Sequence, residues 1–165
     1  MWTIIKFEKK QINFLRQDLT KKLGSNYKIY IPKIKIQKYK NNKLINKEVS
    51  VLGDYMFCFH KQFNSKLTIE ALKFARGLKY FLTGHNDSQD DIENFIQRCS
   101  KLEDKNGYIS KDLFELEINK SYKFSSGPFT DKIFKLINLQ RNIIKISMGN
   151  LSTSINRKKY LFTPL

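Results

Sequence analysis

The sequence Ser126-Gly127-Pro128-Phe129-Thr130-Asp131 precedes two β-rich runs, Ile133 to Leu139 and Ile143 to Met148. Gly-Pro is a turn signal, and both runs alternate enough to indicate short strands. Gln140-Arg141-Asn142 separates the runs and has the composition of a turn. The stretch therefore predicts a strand-turn-strand unit within a small barrel that covers residues 119–165.

A helix is the alternative structure for part of this stretch. Segment 132–145 places apolar residues at spacings that a helix could also use, namely Ile133, Phe134, Leu136, Ile137 and Ile144. The run Ile143 to Ile146 is rich in β-branched residues, which favour strands. We therefore expect an all-β C-terminal domain.

Positive charge is the main compositional feature of this chain of 165 residues. Lys and Arg number 31 against 15 Asp and Glu, which gives a formal net charge of +16. Residues 1–61 carry 14 basic and 4 acidic groups, residues 62–118 carry 8 and 10, and residues 119–165 carry 9 and 1. Such an excess attracts polyanions because it releases their counterions, so nucleic acid is an expected partner. The simpler interpretation is that the lysines only keep the protein surface soluble.

The first hundred residues alternate between strand and helix patterns. Trp2 to Phe7 mixes aromatic and β-branched residues, and leucines at helical spacing then predict a helix that ends at Gly24. Val49 to Phe59 is typical of a central strand that is buried on both faces. We expect an α+β protein in three parts: an α/β sandwich with an antiparallel sheet over residues 1–100, a linker over 101–118, and the barrel over 119–165.

A basic hairpin is predicted between the first helix and the central strand. Lysine alternates with Ile and Tyr over Tyr27 to Tyr39, around Pro32, and Asn41-Asn42-Lys43 has the composition of a hairpin tip. Because side chains alternate between the two faces of a strand, many of these lysines would project from one surface, where they could contact phosphates. An ordinary solvent-exposed strand face has the same pattern and is the alternative interpretation. The lysines that we assign to nucleic-acid binding are Lys33, Lys35, Lys38, Lys40 and Lys43.

The sequence contains no evident catalytic or metal-binding motif. Cys58 and Cys99 are too few and too far apart for a zinc site or a disulfide framework. His60 and His85 have no ligand or nucleophile at a motif spacing. We expect a protein that is not an enzyme and that uses no cofactor or metal.

The expected location is cytoplasmic. The N-terminus begins with Trp2-Thr3-Ile4-Ile5 and then charged residues, without the apolar core of a signal peptide. No run approaches the length of a membrane span, so a membrane is not an expected partner.

Several short features follow one another in a specific order along the chain. Trp2-Thr3-Ile4-Ile5 opens a strand before a helix, Pro32 lies in a basic strand, and Leu52-Gly53-Asp54-Tyr55-Met56-Phe57 lies in the core. Arg76-Gly77-Leu78-Lys79-Tyr80-Phe81 follows a helix, and Gly127-Pro128-Phe129 resembles a KOW motif. This collinear series resembles the NusG family over nearly the whole chain.

The resemblance implies an N-terminal NGN domain followed by a KOW barrel of SH3-like type. In that family the NGN domain docks on the clamp helices of RNA polymerase and bridges the cleft over DNA, and the KOW barrel recruits a ribosomal protein or the termination factor Rho. On the family pattern, Trp2, Leu52 and Tyr55 match polymerase-binding positions, and Phe129 and Met148 match partner-facing positions. A purely structural role for Trp2 and Tyr55 is the alternative, because large aromatic residues in strands are usually buried.

The chain departs from the family pattern at two places. The Phe-Pro-Gly-Tyr segment appears as Leu52-Gly53-Asp54-Tyr55, which keeps an apolar residue and a turn but changes the surface. In an ungapped match, the second glycine of the KOW motif falls on Phe134. A bulky residue there would alter the turn between the first barrel strands, so a divergent barrel is expected.

The function implied by the resemblance is that of a transcription elongation factor that modulates pausing, antitermination or termination. Its expected partners are RNA polymerase, upstream or non-template DNA, and either a ribosomal protein of the small subunit or Rho. One alternative is a ribosome-associated or general RNA-binding KOW protein. Another, within the family, is an operon-restricted paralogue whose C-terminal domain refolds into helix.

Overall fold

The protein combines helices with antiparallel sheets in a computed structural model. The structure describes residues 1–109 and 115–165, with the main chain alone at Tyr39. The chain divides into two compact units, and each is made of two segments. The first unit contains Met1–Pro32 and Ser50–Lys101, and the second contains Lys33–Val49 and Leu102–Leu165.

The helices and strands follow one another in an order close to the predicted one. Up to residue 102 they are β1 (Trp2–Phe7), α1 (Ile12–Leu23), β2 (Lys28–Tyr30), β3 (Lys33–Lys40), β4 (Lys43–Ser50), β5 (Tyr55–Phe59), α2 (Lys66–Leu72), β6 (Leu78–Phe81) and α3 (Gln89–Leu102). The later strands are β7 (Ser121–Phe124), β8 (Ile133–Gln140), β9 (Ile143–Met148), β10 (Leu151–Asn156) and β11 (Phe162–Pro164). Short 3-10 helices cover Lys9–Gln11, Lys61–Asn64 and Arg157–Lys159.

The first unit contains an antiparallel sheet of four strands in the order β2-β5-β1-β6. Alternation along β1 buries Thr3, Ile5 and Phe7 on one face. That face packs against the apolar stripe of α1, which contributes Leu15, Leu19 and Leu23. The opposite face of β1 carries residues 2, 4 and 6, which are therefore available to form a surface.

The central strand of this unit is shorter than predicted. β5 begins at Tyr55, and its middle residues Met56, Phe57 and Cys58 are buried on both faces, as expected. Residues 51–54 form a turn instead of a strand. Gly53 and Asp54 interrupt the apolar run at this point, and Gly53 has a positive φ of 63°.

The second unit contains an antiparallel sheet of five strands in the order β10-β9-β8-β7-β11. Its core cluster is Tyr122, Phe124, Phe134, Leu136, Ile144 and Ile146. Ile155 of β10 and Phe162 of β11 both pack against this cluster, so the sheet curls around its own core. Among the described residues, no ladder joins the edge strands β10 and β11, so the sheet is not closed.

The predicted fold class is confirmed: helices and antiparallel sheets form an α+β protein whose C-terminal part is all β. The predicted small barrel is a curled sheet that is not closed among the described residues. Segment 132–145 forms β8 and β9, not the alternative helix. The predicted linker 101–118 includes residues 110–114, which lie outside the described residues.

Phe134 does not occupy a turn. It lies in β8, is 1% exposed, and has its ring centroid 4.6 Å from that of Phe124. The backbone reversal is made earlier, by Gly127 and Asp131, which have φ angles of 82° and 67°. The ungapped match therefore placed a turn glycine on a residue that the fold uses for its core.

The basic hairpin consists of β3 and β4, which form a sheet of two strands. Asn41 and Asn42 at its tip both adopt left-handed backbone angles, with φ of 51° and 57°, as a tight hairpin turn requires. The sequence placed this hairpin within the first domain, whereas residues 33–49 belong to the second compact unit. In the part of the chain that the structure describes, no helix is long and apolar enough to cross a membrane.

Candidate functional site

An apolar groove of about 350 Å³ opens on the sheet of the first unit. Its lining consists of Ile4, Leu52, Tyr55, Phe57, Leu82 and Phe95. Ile4 and Phe57 are cross-strand partners on β1 and β5, on the face opposite the core packed by α1. α3 covers part of the same face, since the ring centroids of Phe95 and Phe57 are 5.7 Å apart. A concave surface of this composition binds an apolar side chain by removing it from water.

The turn before β5 brings two predicted polymerase-binding residues to this groove. The N–H of Gly53 donates to the carbonyl of Ser50 at 3.3 Å, and the N–H of Tyr55 donates to the carbonyl of Leu52 at 3.2 Å. These bonds fold the chain back so that Leu52 and Tyr55, three residues apart, both contribute to the lining. Both side chains are only partly buried, which leaves them accessible to a partner.

A cation and two phenols form a row across three strands beside the groove. Lys6 on β1 lies opposite Tyr55 on β5 and Tyr80 on β6, and its Nζ is 5.2 Å and 5.5 Å from their ring centroids. The two hydroxyls are 3.0 Å apart. The hydroxyl of Tyr55, followed by that of Tyr80, raises the pKa of Lys6, and the hydrogen bond with Tyr55 lowers the pKa of Tyr80. Lys6 therefore stays protonated at neutral pH and places positive charge near the apolar surface.

Trp2, the third predicted polymerase-binding residue, is not part of the groove lining. It lies at the start of β1, and its ring meets that of Phe59 edge to face, with the centroids 5.3 Å apart. The Gln89 side chain accepts from the N–H of Trp2 and donates to its carbonyl, both at 2.8 Å. These contacts give Trp2 a structural role in attaching β1 to α3, and its docking role stays a prediction.

The lysines of the basic hairpin differ in their surroundings. Lys33 forms an ion pair with Glu48 at 3.4 Å, and the Nζ of Lys35 is 5.8 Å from the ring centroid of Tyr108. The Tyr108 hydroxyl also donates to Glu48. This hydrogen bond, and to a smaller extent Lys33, holds the pKa of Glu48 below its ordinary value.

The remaining hairpin lysines have no ion-pair partner in the described part of the chain, namely Lys38, Lys40, Lys43 and Lys47. Strand alternation also separates the predicted set, because Lys33 and Lys35 lie on one face of β3 while Lys38 and Lys40 lie on the face of Ile34 and Ile36. The five predicted nucleic-acid-binding lysines therefore do not form a single flat surface.

The two predicted partner-binding residues of the second unit are half-buried. Phe129 packs against the core with its ring centroid 5.4 Å from that of Phe124 and 6.1 Å from that of Tyr160. Met148, at the end of β9, packs against the same cluster and is the cross-strand partner of Leu151, which is 71% exposed. Only part of each side chain is open to a partner, and their role in recruitment stays a prediction.

Comparisons with known proteins find similar structures but no similar sequence family. No protein-family model and no curated protein matches the chain. Solved structures that are similar to it include the following two. The MjSpt4:Spt5 complex in conformation B is 11% identical, covers 100% of this chain and 98% of its own, and has a TM-score of 0.29. Thermotoga maritima NusG is 16% identical, covers 94% of this chain and 91% of its own, and has a TM-score of 0.35.

Four groove residues were not assigned to the site from the sequence: Ile4, Phe57, Leu82 and Phe95. The period of two along β1 could have revealed Ile4, because residues 2, 4 and 6 share a strand face. Leu82 and Phe95 come from other elements, so only the folded chain shows that they meet Leu52. No sequence period carries that information.

The described residues provide no arrangement for metal binding or thiol chemistry. No group of three or more His, Cys, Asp or Glu side chains lies close enough together to hold a metal ion in this part of the chain. Cys58 and Cys99 are both buried, and burial raises the pKa of the Cys58 thiol to about 12. Cys58 is therefore a thiol at neutral pH and is a poor nucleophile.

Proposed function

We propose that this protein is a cytoplasmic transcription elongation factor of the NusG type that acts without catalytic chemistry. The observation that supports this proposal is the apolar groove, where Leu52 and Tyr55, the residues matched to polymerase-binding positions, line the same concave surface. The groove would receive an apolar side chain from the clamp helices of RNA polymerase. Full burial of one such side chain contributes roughly 1.5–3 kcal/mol.

Docking would alter transcription by shifting a conformational equilibrium of the polymerase. A ligand moves such an equilibrium only by its differential affinity for the two states. Binding that favours the closed clamp would therefore change the lifetime of pauses, and through it antitermination or termination. The positive charge of Lys6 beside the groove favours a partner segment with an acidic residue near its apolar anchor.

The basic hairpin and the C-terminal sheet have separate roles in this proposal. Lys38, Lys40 and Lys43 would contact upstream or non-template DNA, since they have no ion-pair partner in the described residues. Phe129 and Met148 would contribute to a surface that recruits a ribosomal protein of the small subunit or Rho.

Co-purification with core RNA polymerase tests the proposed docking site. Leu52→Asp places a charge in the groove and Tyr55→Ala removes one wall, so both variants should lose binding. Tyr55→Phe keeps the ring and should retain it. Leu67→Asp is the matched control, because Leu67 is 78% exposed on α2 and is not part of the groove. Normal binding by both groove variants would disprove the assignment of the groove.

A general RNA-binding or ribosome-associated KOW protein is the second candidate function. The observation in its favour is that the basic hairpin belongs to the same compact unit as the C-terminal sheet, so the cationic surface and the KOW-like part form one body. A tagged form of the 165-residue chain should then recover ribosomes in excess of polymerase from a lysate. Recovery of polymerase that depends on Leu52 would instead support the elongation factor.

A further inference from the structure

A second cavity, of about 300 Å³, lies within the second unit between the basic hairpin and the outer face of the sheet. The outer face is defined by alternation on β7, where Tyr122 and Phe124 point into the core and Lys123 points away from it. Its lining contains the apolar residues Ile34, Ile36 and Val49 and the polar or charged residues Gln37, Lys38, Lys47, Lys123, Ser125, Asp131 and Thr163. Three elements contribute the three lysines, namely β3, β4 and β7.

The cavity carries an excess of positive charge. Three lysines and one aspartate contribute to its lining. None of Lys38, Lys47 and Lys123 forms an ion pair within residues 1–109 and 115–165. Glu48, the acidic residue of the hairpin, is already occupied by Lys33 and Tyr108. The cavity is therefore a surface that attracts anions.

The hairpin is fixed at this position by hydrogen bonds to the segment that follows β7. The N–H of Gln37 donates to the carbonyl of Ser125 at 2.8 Å, and the Gln37 side chain accepts from the N–H of Gly127 at 2.9 Å. Ile34 and Ile36, each 9% exposed, anchor the inner side of β3. Lys38 follows directly after this anchored stretch, so the position of its main chain relative to the sheet is determined by the fold.

Hydroxyl groups complete the chemistry of an anion site. The Ser125 and Thr163 hydroxyls are 3.1 Å apart, and Ser125 is 4% exposed. One of the two hydroxyls can donate a hydrogen bond to an oxygen of an anion while it accepts from the other. The lysines supply charge and the hydroxyl pair supplies a directional donor, and both kinds of group bind phosphate oxygens in protein–DNA interfaces.

We propose that this cavity is a binding site for a backbone phosphate of nucleic acid, formed jointly by Lys38 and Lys47 of the hairpin and Lys123 of the C-terminal sheet. The site deepens the proposed nucleic-acid contact of the hairpin and rests on it, but it does not depend on polymerase docking. Lys40 and Lys43 continue from it towards the hairpin tip, so a strand whose phosphate occupies the cavity would run along β3. Asp131 is the one unfavourable group in the site.

Fluorescence anisotropy of the whole chain with a labelled DNA duplex, and with the matching single strand, tests the proposal. Lys123→Gln is the decisive variant because Lys123 lies outside the hairpin. It should weaken binding by roughly threefold or more and should reduce the slope of log K against log salt by about 0.7–0.9. Lys123→Arg keeps the charge and should retain most of the affinity. Lys145→Gln, on β9 beyond β8, is the matched control and should change affinity less.

Asp131 offers a test with the opposite sign. Its φ of 67° is in the left-handed region, which Asn tolerates as well as Asp, so Asp131→Asn removes the charge without backbone strain. This variant should strengthen DNA binding more than Glu117→Gln, which changes the net charge equally but lies outside the cavity lining. If Lys123→Gln and Lys145→Gln changed the affinity for DNA equally, or if Asp131→Asn and Glu117→Gln did, binding would depend on net charge alone. Either result would overturn the proposed site.

Inorganic phosphate distinguishes a free anion from nucleic acid as the ligand. Amide chemical shifts of Ser125 and its neighbours should move on DNA titration and should move little with phosphate at equal ionic strength. Two results together would overturn the assignment to nucleic acid. The protein would bind phosphate saturably and Lys123→Gln would abolish that binding, while the same variant bound DNA as well as the parent protein. Loss of DNA binding in Lys123→Gln with normal polymerase recovery would uphold this site independently of the groove.

Discussion

Gly77 occupies a backbone position that other residues can take only with strain. Its φ is 77°, and a Cβ added there would lie 2.8 Å from the Cβ of Gln11 and 2.9 Å from the Gln11 carbonyl oxygen. The Gly77 carbonyl also accepts from the N–H of Glu8 at 2.8 Å, which joins the segment before β6 to the segment after β1. The glycine therefore allows two pieces of main chain to approach closely within the first unit.

Gly77→Ala should lower the free energy of unfolding by about 2 kcal/mol or more, as the left-handed angle costs about 1–2 kcal/mol and the contact with main chain adds to it. Gly84→Ala is the matched control. Gly84 has φ of 81°, but a Cβ added there would meet nothing within 4 Å, so only the cost of the angle applies. Urea unfolding of both variants measures the difference. Equal losses would show that the chain relaxes around Gln11.

Asp18 on α1 makes folding stability depend on pH. Hydrogen bonds from the Arg76 side chain, at 2.6 Å and 3.1 Å, and from its N–H, at 2.9 Å, lower the pKa of Asp18 from 3.8 to about 2. Because the folded pKa is below the unfolded one, the stabilisation is present above about pH 4 and is lost as pH falls towards 2.

Asp18→Asn should therefore be less stable than the parent protein at pH 7, and the difference should disappear between pH 4 and pH 2. Urea unfolding at several pH values measures this convergence. Asp87→Asn is the control, since Asp87 forms no ion pair within the described residues. A constant difference down to pH 2 would mean that the ion pair with Arg76 is not its source.

The sequence carries most of the information on where strands and helices form but not on where strands end. β1, α1, α3, β8 and β9 follow from apolar periodicity because each buries one continuous stripe or face. β5 was predicted too long, since the run from Val49 to Phe59 is apolar on both sides of the Gly53-Asp54 turn. Leu52 was therefore expected in the core strand, whereas the turn places it at the groove.

The hairpin is predictable from local sequence, but the segment against which it packs is not. The Asn41-Asn42 tip and the alternation along β3 were evident because turn chemistry and period are local properties. The segment to which the hairpin is hydrogen-bonded lies far away along the chain. Gln37 meets Ser125 and Gly127, about 90 residues away, and no spacing within β3 indicates which sheet its backbone will join.

The hairpin interrupts the chain of the first unit and belongs to the second unit. Among the described residues, the core cluster of the first unit contains residues of segments 1–32 and 50–101. The N–H of Val51 donates to the carbonyl of Pro32 at 2.9 Å, so the two ends of the insertion are already adjacent. A short connection could therefore replace residues 33–49 without displacing β2 or β5.

Replacement of residues 33–49 by Gly-Gly should leave the urea midpoint of fragment 1–101 nearly unchanged, because no member of the first core is removed. The same replacement in the whole chain should destabilise the second unit. It removes the buried side chains of Ile34 and Ile36, and burial of each contributes roughly 1.5–3 kcal/mol to the free energy of unfolding. It also leaves the Ser125 carbonyl without its hydrogen-bond donor, the N–H of Gln37. Hydrogen exchange of β7 amides measures the second effect, and β1 amides provide the control. Unfolding of the shortened fragment, or unchanged protection in β7, would show that the hairpin belongs energetically to the first unit.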